Sequence, residues 1–324
     1  MRVTRSFLSV ALALGLGLSA ASCSSDKNAE GDTPKDNTQA AASFTHPQYE
    51  DLTINLDEAP KRVVADFYAA GVLASYGIEP VGVFGWGSDS EDVLSAFDIN
   101  KAEILGKGNE INVEKLVDLQ PDVIVGHGSP EGWSWFKEDL NKQLLDVAPF
   151  IPLATTKSVE TNIDDNLKIA AFLGADPEST EIKKSKEAFE TAKTHVKDAV
   201  EGKDLEVLLG APAEEVYYTA QGFPQNDLFE ELGMKTVGKP RPAEGNPWGQ
   251  LAWEEFPEFK ADVVTTLPES SAPDLSQNAL WSAHPAVKAN QVFAWDQKLI
   301  YSYDAYADWL DATAKDLTTY QKLK

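Results

Sequence analysis

The stretch that decides the fold is NIDDNLKIAAFLGADPESTEIKKSKEAFETAKTHVKDAVEG, residues 162–202. Its apolar residues recur at helical spacing in two runs, each closed by a glycine. Between the runs, Asp176, Pro177 and Glu178 supply a capping residue, a proline for the first turn and an acid at the positive end of a helix dipole. The stretch therefore predicts two helices, the second of about 24 residues and roughly 36 Å. Such a pair is either an ordinary surface element or a spine between two lobes, and the flanking sequence decides between them.

The flanking sequence shows strands alternating with helices on both sides. Predicted strands lie at 53–56, 61–65, 80–84, 122–125 and 150–153, and again at 205–209, 215–219, 262–266 and 291–295. Predicted helices lie at 67–76, 113–119, 134–145, 225–232 and 303–323. This alternation is typical of α/β folds with mostly parallel sheets flanked by helices. We therefore predict two similar α/β lobes, 44–157 and 203–324, joined by a long helical spine at 158–202, with a ligand cleft between the lobes.

Two segments of the first lobe have counterparts in the second. Residues 113–125 read VEKLVDLQPDVIV, and residues 253–265 read WEEFPEFKADVVT. Each predicts a helix, a turn, an aspartate and then a buried strand. Residues 73–82 and 229–238 correspond in the same way. This repetition favours the spine over the ordinary surface element.

The N-terminus has the features of an export signal. Arg2 and Arg5 precede an apolar run that is too short for a permanent membrane span, and small residues follow it. Cys23, the only cysteine, stands directly after them, and the arrangement resembles a bacterial lipoprotein signal. We expect residues 1–22 to be removed, Cys23 to carry lipid, and residues 23–43 to form a flexible tether. The protein is then anchored to the outer face of the cell membrane, in a periplasm or at the cell surface.

Composition narrows the range of partners. The chain has 324 residues and a formal net charge of -24. Nucleic acid binding needs clustered Lys and Arg, so the charge argues against it. A surface this acidic also repels its own copies, and we expect a monomer.

Four segments carry a resemblance to a known family: 61–64, 77–83, 112–125 and 281–293. They resemble the iron–siderophore branch of the substrate-binding proteins of ABC importers, a branch that also includes binders of haem and cobalamin. The resemblance covers the chain from about Thr45 to the C-terminus. It implies a protein that captures a ferric siderophore or a similar bulky chelate and passes it to permease subunits, with little hinge motion and no catalysis. It further implies an exposed acid on each lobe for permease docking, for which Glu131 and Glu230 are the candidates.

Ligands bind outside the carboxyl ends of parallel strands, and this rule nominates Tyr68, Trp86, His127 and Trp133, with Trp135 beside it, and Tyr301 after the last strand. Arg241 is a further candidate, and Tyr217 and Trp248 could supply aromatic walls near it. Of the adjacent Tyr217 and Tyr218, only one should face the cleft, because side chains alternate along a strand. Arg241 lies in a proline-rich loop that in the family often faces the cleft, and its guanidinium suits the oxygens of an anionic iron complex.

The remaining hypotheses concern metal ions and catalysis. Of the histidines at 46, 127, 195 and 284, only His127 is well placed, so we expect iron to arrive already chelated rather than at a protein metal site. Haem or cobalamin is the alternative ligand. An enzyme on a two-lobed scaffold is a further alternative, but the sequence has neither a Gly-x-Ser-x-Gly elbow nor a phosphate-binding Gly-Lys-Ser/Thr loop. A surface adhesin would leave the repeated lobes unexplained.

Overall fold

The structure, a computed structural model, describes residues 42–88, 91–243 and 246–323. The predicted signal peptide, Cys23 and the predicted tether up to residue 41 lie outside the described residues. The last two residues of that tether, 42 and 43, already belong to a strand. Over the described ranges, every helix is too short or too polar to serve as a membrane span.

The secondary structure alternates much as the sequence predicts. The strands are β1 (Ala42–His46), β2 (Tyr49–Leu56), β3 (Val63–Asp66), β4 (Gly82–Phe84), β5 (Glu103–Ile104), β6 (Val123–Gly126), β7 (Gly128–Ser129), β8 (Gly132–Trp133), β9 (Phe150–Pro152), β10 (Glu206–Leu208), β11 (Gly210–Pro212), β12 (Val216–Thr219), β13 (Lys235–Val237), β14 (Gly249–Ala252), β15 (Val263–Thr266) and β16 (Val292–Ala294). The α-helices are α1 (Phe67–Ala74), α2 (Glu91–Ser95), α3 (Val113–Leu119), α4 (Glu138–Val147), α5 (Val159–Phe172), α6 (Thr180–Val200), α7 (Gln225–Glu231), α8 (Ala279–Ala283), α9 (Pro285–Lys288) and α10 (Tyr303–Thr319).

Each half of the chain contains a parallel sheet. The first has the strand order β5-β4-β3-β6-β9, and the second has the order β13-β10-β15-β16. Strands β3 and β6 are buried along their whole length, as expected for parallel strands covered on both faces. The predicted α/β class with two mostly parallel sheets is therefore confirmed.

Smaller antiparallel units complete the two halves. Strands β1 and β2 form one hairpin, β7 and β8 form a second, and β11, β12 and β14 form a small sheet. The predicted strand at 215–219 belongs to this small sheet rather than to the second parallel sheet. The helix predicted at 134–145 begins only at Glu138, because residues 132 and 133 are held in the β7–β8 hairpin.

The sequence repeat has a structural counterpart in two aspartates. Asp122 precedes β6, and its Oδ2 accepts hydrogen bonds from the N–H groups of Lys61 (2.7 Å) and Arg62 (2.8 Å), just before β3. Asp262 precedes β15, and its Oδ2 accepts from the N–H of Glu206 (2.8 Å), the first residue of β10. In each half, the aspartate thus joins the start of one parallel strand to the start of its neighbour.

The stretch that decides the fold forms α5 and α6, and α6 has 21 residues, or roughly 32 Å. Its N-cap is Ser179, whose side chain accepts the N–H of Ile182, so the predicted cap at Asp176 was wrong by three residues. Asp176 instead accepts the N–H of Glu178 in the preceding turn. The two helices occupy the predicted linker, while the lobe boundaries at 157 and 203 stay a prediction.

Helix α10 lies beside α6 and runs in the same direction. Phe189 of α6 contacts the rings of Tyr303 and Tyr306 near the start of α10. Further along, His195 pairs with Asp311, and beyond the end of α6 Lys203 donates to the carbonyl of Leu317 near the end of α10. The closing helix of the chain therefore reinforces α6 along its length.

Candidate ligand-binding site

A cavity of about 1280 Å³ lies between the two halves. In the first half it is lined by Tyr68, Val72, Trp86, Gly87, His127, Trp135, Leu153, Thr155 and Thr156, and in the second half by Gly222, Phe223, Pro224, Arg241, Pro247, Gln297, Lys298, Leu299, Ile300 and Tyr301. Many of these residues follow the carboxyl ends of β3, β4, β6, β9 and β16, where the strand-end rule places ligands. The volume exceeds the ordinary range for drug-sized ligands, roughly 300–1,000 Å³, and suits a bulky one.

Aromatic side chains form the first half's side of the cavity. The indole of Trp86 is 47% exposed, and its Nε1–H donates to Asn109 Oδ1 at 2.9 Å, which holds the ring at the rim. The ring of His127 lies edge-on to Tyr68, at a centroid distance of 5.3 Å, and contacts Trp135 at 6.0 Å. Trp135, 45% exposed, adds a second broad apolar surface. The predicted positions of Tyr68, Trp86 and His127 are thus brought together.

The buried carboxylate of Asp66 lies behind His127. Its Oδ1 accepts the N–H of Ala69 (2.7 Å) and caps α1. Its Oδ2 accepts the N–H of His127 (2.6 Å) and lies 3.2 Å from Nδ1 of the His127 ring. Burial alone would raise the pKa of Asp66, but the His127 charge and these hydrogen bonds outweigh it and hold the pKa below its ordinary value. Asp66 is therefore an ionised, fixed counter-charge at this wall.

Trp133 does not face the cavity, so its predicted role as a ligand contact is corrected. Its side chain is 1% exposed, and its Nε1–H donates to Asp66 Oδ2 at 2.9 Å. The ring packs against Phe84 and Phe136. The hairpin β7–β8 turns this indole inwards, and Trp135, two residues later, lines the cavity instead.

Two cations line the second half's side of the cavity. Arg241 and Lys298 are both exposed, and neither forms an ion pair with a carboxylate of the described residues. The aliphatic stem of Arg241 lies close to Gly222. A Cβ at that position would come within 2.6 Å of the arginine Cδ, so the glycine leaves room for the stem. Among the described lining residues, Arg241 and Lys298 are the permanently charged side chains, and no Asp or Glu accompanies them.

In the second half, two of the predicted aromatic contacts, Trp248 and Tyr217, are not among the residues that line the cavity. Trp248 stacks at a tilt on Phe223, with ring centroids 4.6 Å apart, and Phe223 is the residue that lines the cavity. Tyr217 is fully buried, and its hydroxyl donates to the carbonyl of Thr265 at 2.9 Å. Its predicted role as a ligand contact is therefore corrected. The alternation of side chains along β12 places Tyr217 and Tyr218 on opposite faces of the small sheet, but it does not tell which of those faces packs against the core.

Tyr301 lines the cavity as predicted. Burial raises the pKa of its phenol. Its ring stacks on Tyr306 of α10, with centroids 5.6 Å apart, and Tyr306 accepts a hydrogen bond from the side chain of Gln225 in α7 at 2.6 Å. The cavity wall is thus backed by two helices of the second half at this residue.

Sequence reasoning missed several lining residues. Thr155 and Thr156 follow β9, and Lys298 follows β16, so the strand-end rule would have found them if it had been applied to every strand. Phe223 follows a strand of the small antiparallel sheet, for which the rule gives no guidance. Asp66, the support of His127, carries a recognisable signal, since it ends a buried strand and caps the next helix.

The two docking candidates are exposed. Glu131 lies in the β7–β8 turn, and its carboxylate accepts the hydroxyl of Ser129, which holds the pKa of Glu131 below its ordinary value. Glu230 lies in α7 and accepts the hydroxyl of Thr236 at 2.7 Å. Each glutamate is thus positioned by a neighbouring hydroxyl.

Comparison with known proteins agrees with this architecture. Residues 61–299 match the family described as periplasmic binding protein. The chain is 28% identical over 301 residues to the iron(3+)-hydroxamate-binding protein YxeB of Bacillus subtilis (strain 168), covering 89% of this chain and 87% of the relative. It is 25% identical over 302 residues to the iron(3+)-hydroxamate-binding protein FhuD of the same organism, covering 89% and 90%. The crystal structure of DesE, a ferric-siderophore receptor protein from Streptomyces coelicolor, superposes with a TM-score of 0.76 at 26% identity, over 87% of this chain and 99% of that one. The chain belongs to the periplasmic binding protein family.

Proposed function

We propose that this protein captures a ferric hydroxamate siderophore in the cavity between its lobes and delivers it to an ABC importer. The observation that carries the proposal is the cavity itself: about 1280 Å³, walled by aromatic side chains, with the cations Arg241 and Lys298 on one side. Such walls suit a bulky chelate whose iron-bound oxygens are partly negative. The protein binds and releases this ligand without changing it chemically.

The choice of hydroxamates over catecholates rests on the relatives and not on the charge of the cavity. Three hydroxamate anions cancel the charge of Fe³⁺, whereas three catecholate dianions leave an excess of three negative charges. Arg241 and Lys298 would attract the second kind of complex more strongly, but they can also donate to the partly negative iron-bound oxygens of the first. The names of the relatives YxeB and FhuD, both iron(3+)-hydroxamate-binding proteins, favour the hydroxamate.

Isothermal titration of the purified protein tests the proposal. We expect a linear ferric tris-hydroxamate to bind with a submicromolar Kd, more tightly than a ferric triscatecholate, and to change the tryptophan fluorescence, since Trp86 and Trp135 line the cavity. Haem and cobalamin serve as the competing ligands. Saturable binding of either one, with no heat from the ferric tris-hydroxamate, would contradict the proposal.

Export and anchoring belong to the same proposal. The predicted signal peptide at 1–22 and lipidation at Cys23 would hold the protein at the outer face of the cell membrane.

We propose that Glu131 and Glu230 contact basic residues of the permease. Replacing both with lysine should lower ligand-stimulated ATPase activity of the reconstituted importer by about 10-fold or more, because like charges then meet at the interface. Binding of the ferric ligand should stay within about 2-fold of the wild type, since neither residue lines the cavity. Glu187→Lys with Glu201→Lys is the matched control on the spine and should leave the ATPase stimulation intact. Equal losses in both double variants would contradict the assignment.

A further inference from the structure

Part of the cavity wall, the segment 152–157, is held by polar side chains from two other elements. His46, at the end of β1, hydrogen-bonds through Nε2 to the carbonyl of Pro152 at 2.8 Å. Asn166 of α5 accepts the N–H of Ala154 (2.8 Å) and donates to its carbonyl (3.1 Å). Both side chains are buried. The segment is therefore fastened to the N-terminal hairpin and to the spine.

The side-chain amide of Gln48, in the turn between β1 and β2, has a fixed orientation. Asn162 of α5 donates from Nδ2 to the carbonyl of Lys157 (2.9 Å), and its Oδ1 accepts the N–H of Lys157 (3.0 Å). Because a carbonyl only accepts and a backbone N–H only donates, these two contacts decide which end of the Asn162 amide is the oxygen. One end of the Gln48 amide lies 3.0 Å from that oxygen and 3.0 Å from Asp165 Oδ2. Since both neighbours are acceptors, this end is Nε2, and the other end is Oε1.

The hydroxyl proton of Thr156 is committed to Gln48. Gln48 Oε1 accepts the backbone N–H of Thr156 at 3.1 Å and lies 2.7 Å from its Oγ1. An amide oxygen has no proton to give, so the hydroxyl is the donor in this contact. A hydroxyl has one proton and two lone pairs. Toward any further partner, Thr156 Oγ1 therefore offers a lone pair and acts as an acceptor.

An acceptor at this position complements the cations of the same cavity. Thr156 is exposed and lines the first half's side, whereas Arg241 and Lys298 line the second half's side. The two cations suit the iron-bound oxygens, which accept hydrogen bonds. The organic chain that joins the chelating groups carries the opposite kind of group wherever it contains an amide or amine N–H. Among the described lining residues, no Asp or Glu competes with Thr156 for such a donor.

We propose that Thr156, positioned by Gln48, is a specificity-determining residue that accepts a hydrogen bond from an N–H group in the organic chain of the ferric chelate. This inference rests on the proposed function and deepens it, because it names the part of the ligand that this wall recognises. Chelates joined through secondary amides bind more tightly than chelates of the same shape joined through esters. In the ester, an oxygen replaces the N–H, and its lone pairs meet those of Thr156. A site built to form a hydrogen bond rejects an analogue that lacks the partner group.

Isothermal titration with two matched ligands tests the inference. One is a linear ferric tris-hydroxamate with secondary amides between its chelating groups, and the other is its counterpart with each of these amides replaced by an ester. We expect the wild type to bind the amide ligand about 3- to 10-fold more tightly, the effect of one hydrogen bond. Thr156→Val keeps the shape but loses the acceptor, so it should bind the two ligands within about 2-fold of each other. Thr156→Ser keeps the hydroxyl and should retain the preference.

Gln48→Leu separates positioning from a general loss of structure. Without Gln48 Oε1, the Thr156 hydroxyl can turn and donate as well as accept, so the preference for the amide ligand should fall to about 2-fold or less. A purely structural defect would instead weaken binding of both ligands by the same factor and leave the preference unchanged, which would overturn the positioning role of Gln48. Circular dichroism checks that the variant is folded.

Thr161→Val is the matched control. Thr161 is exposed, lies on α5 and accepts the hydroxyl of Ser158 at 2.9 Å, but it does not line the cavity. This variant should keep the wild-type affinities for both ligands. Equal affinity of the wild type for the amide and ester ligands, or an unchanged preference in Thr156→Val, would overturn the inference while leaving the proposed function intact. Absence of binding to either ferric ligand would overturn the proposed function and this inference together.

Discussion

Replacing Arg241 with alanine should weaken binding of a ferric tris-hydroxamate by about 10- to 100-fold. A hydrogen bond to a charged group contributes roughly 1.5–3 kcal/mol, and each 1.4 kcal/mol corresponds to a factor of ten in Kd. The guanidinium has no ion pair with a described carboxylate to give up on binding. Its planar fork can also contact two iron-bound oxygens at once. Isothermal titration with the wild type in parallel measures the effect.

Two further variants make the Arg241 prediction specific. Arg241→Lys keeps the charge but loses the planar fork, so it should retain part of the affinity. Lys288→Ala, at the end of α9 and outside the cavity, removes one positive charge elsewhere and should leave Kd within about 2-fold. If Arg241→Ala and Lys288→Ala lower the affinity equally, the arginine acts only through overall charge and the proposed contact is wrong.

Replacing Trp133 with alanine should lower the free energy of unfolding by about 3–5 kcal/mol, the range for truncating a large buried aromatic residue. The indole is 1% exposed and packs against Phe84 and Phe136. Its loss would also remove a donor from the buried carboxylate of Asp66. Urea unfolding followed by circular dichroism measures the change.

Trp135 provides the contrast, because it is 45% exposed and contacts only the rings of Trp133 and His127 among the described aromatic pairs. Trp135→Ala should cost about 1–3 kcal/mol of stability, the range for two aromatic pairs. It should instead weaken ligand binding, since the indole lines the cavity. The reverse pattern, with a stable Trp133→Ala protein that fails to bind ligand, would contradict the positions of the two side chains.

Local signals in the sequence were sufficient for most of the fold. Helix α3 starts after Asn112 as predicted, because that side chain accepts the N–H of Lys115. The repeated aspartates at 122 and 262 predicted two similar lobes, and each accepts backbone N–H groups at the start of a neighbouring parallel strand, which explains the repetition. Where two capping residues stood close together, as at Asp176 and Ser179, spacing alone could not choose between them.

The candidate site was predictable only in part, for reasons of geometry. The strand-end rule located Tyr68, Trp86, His127 and Tyr301, since a parallel sheet fixes the direction in which its loops emerge. It could not tell Trp133 from Trp135, because a two-strand hairpin intervenes and turns the first indole into the core. Antiparallel elements and hairpins depend on long-range packing, which periodicity does not reveal.

The central claim is that one bulky ferric chelate lies between the two lobes, and a crystal structure of the complex with a ferric tris-hydroxamate tests it most directly. We predict the iron centre within the described cavity, iron-bound oxygens within hydrogen-bond distance of the Arg241 guanidinium, and only a small rotation of the lobes about α6. A ligand bound outside this cavity, or a wide hinge closure relative to the free protein, would contradict the account.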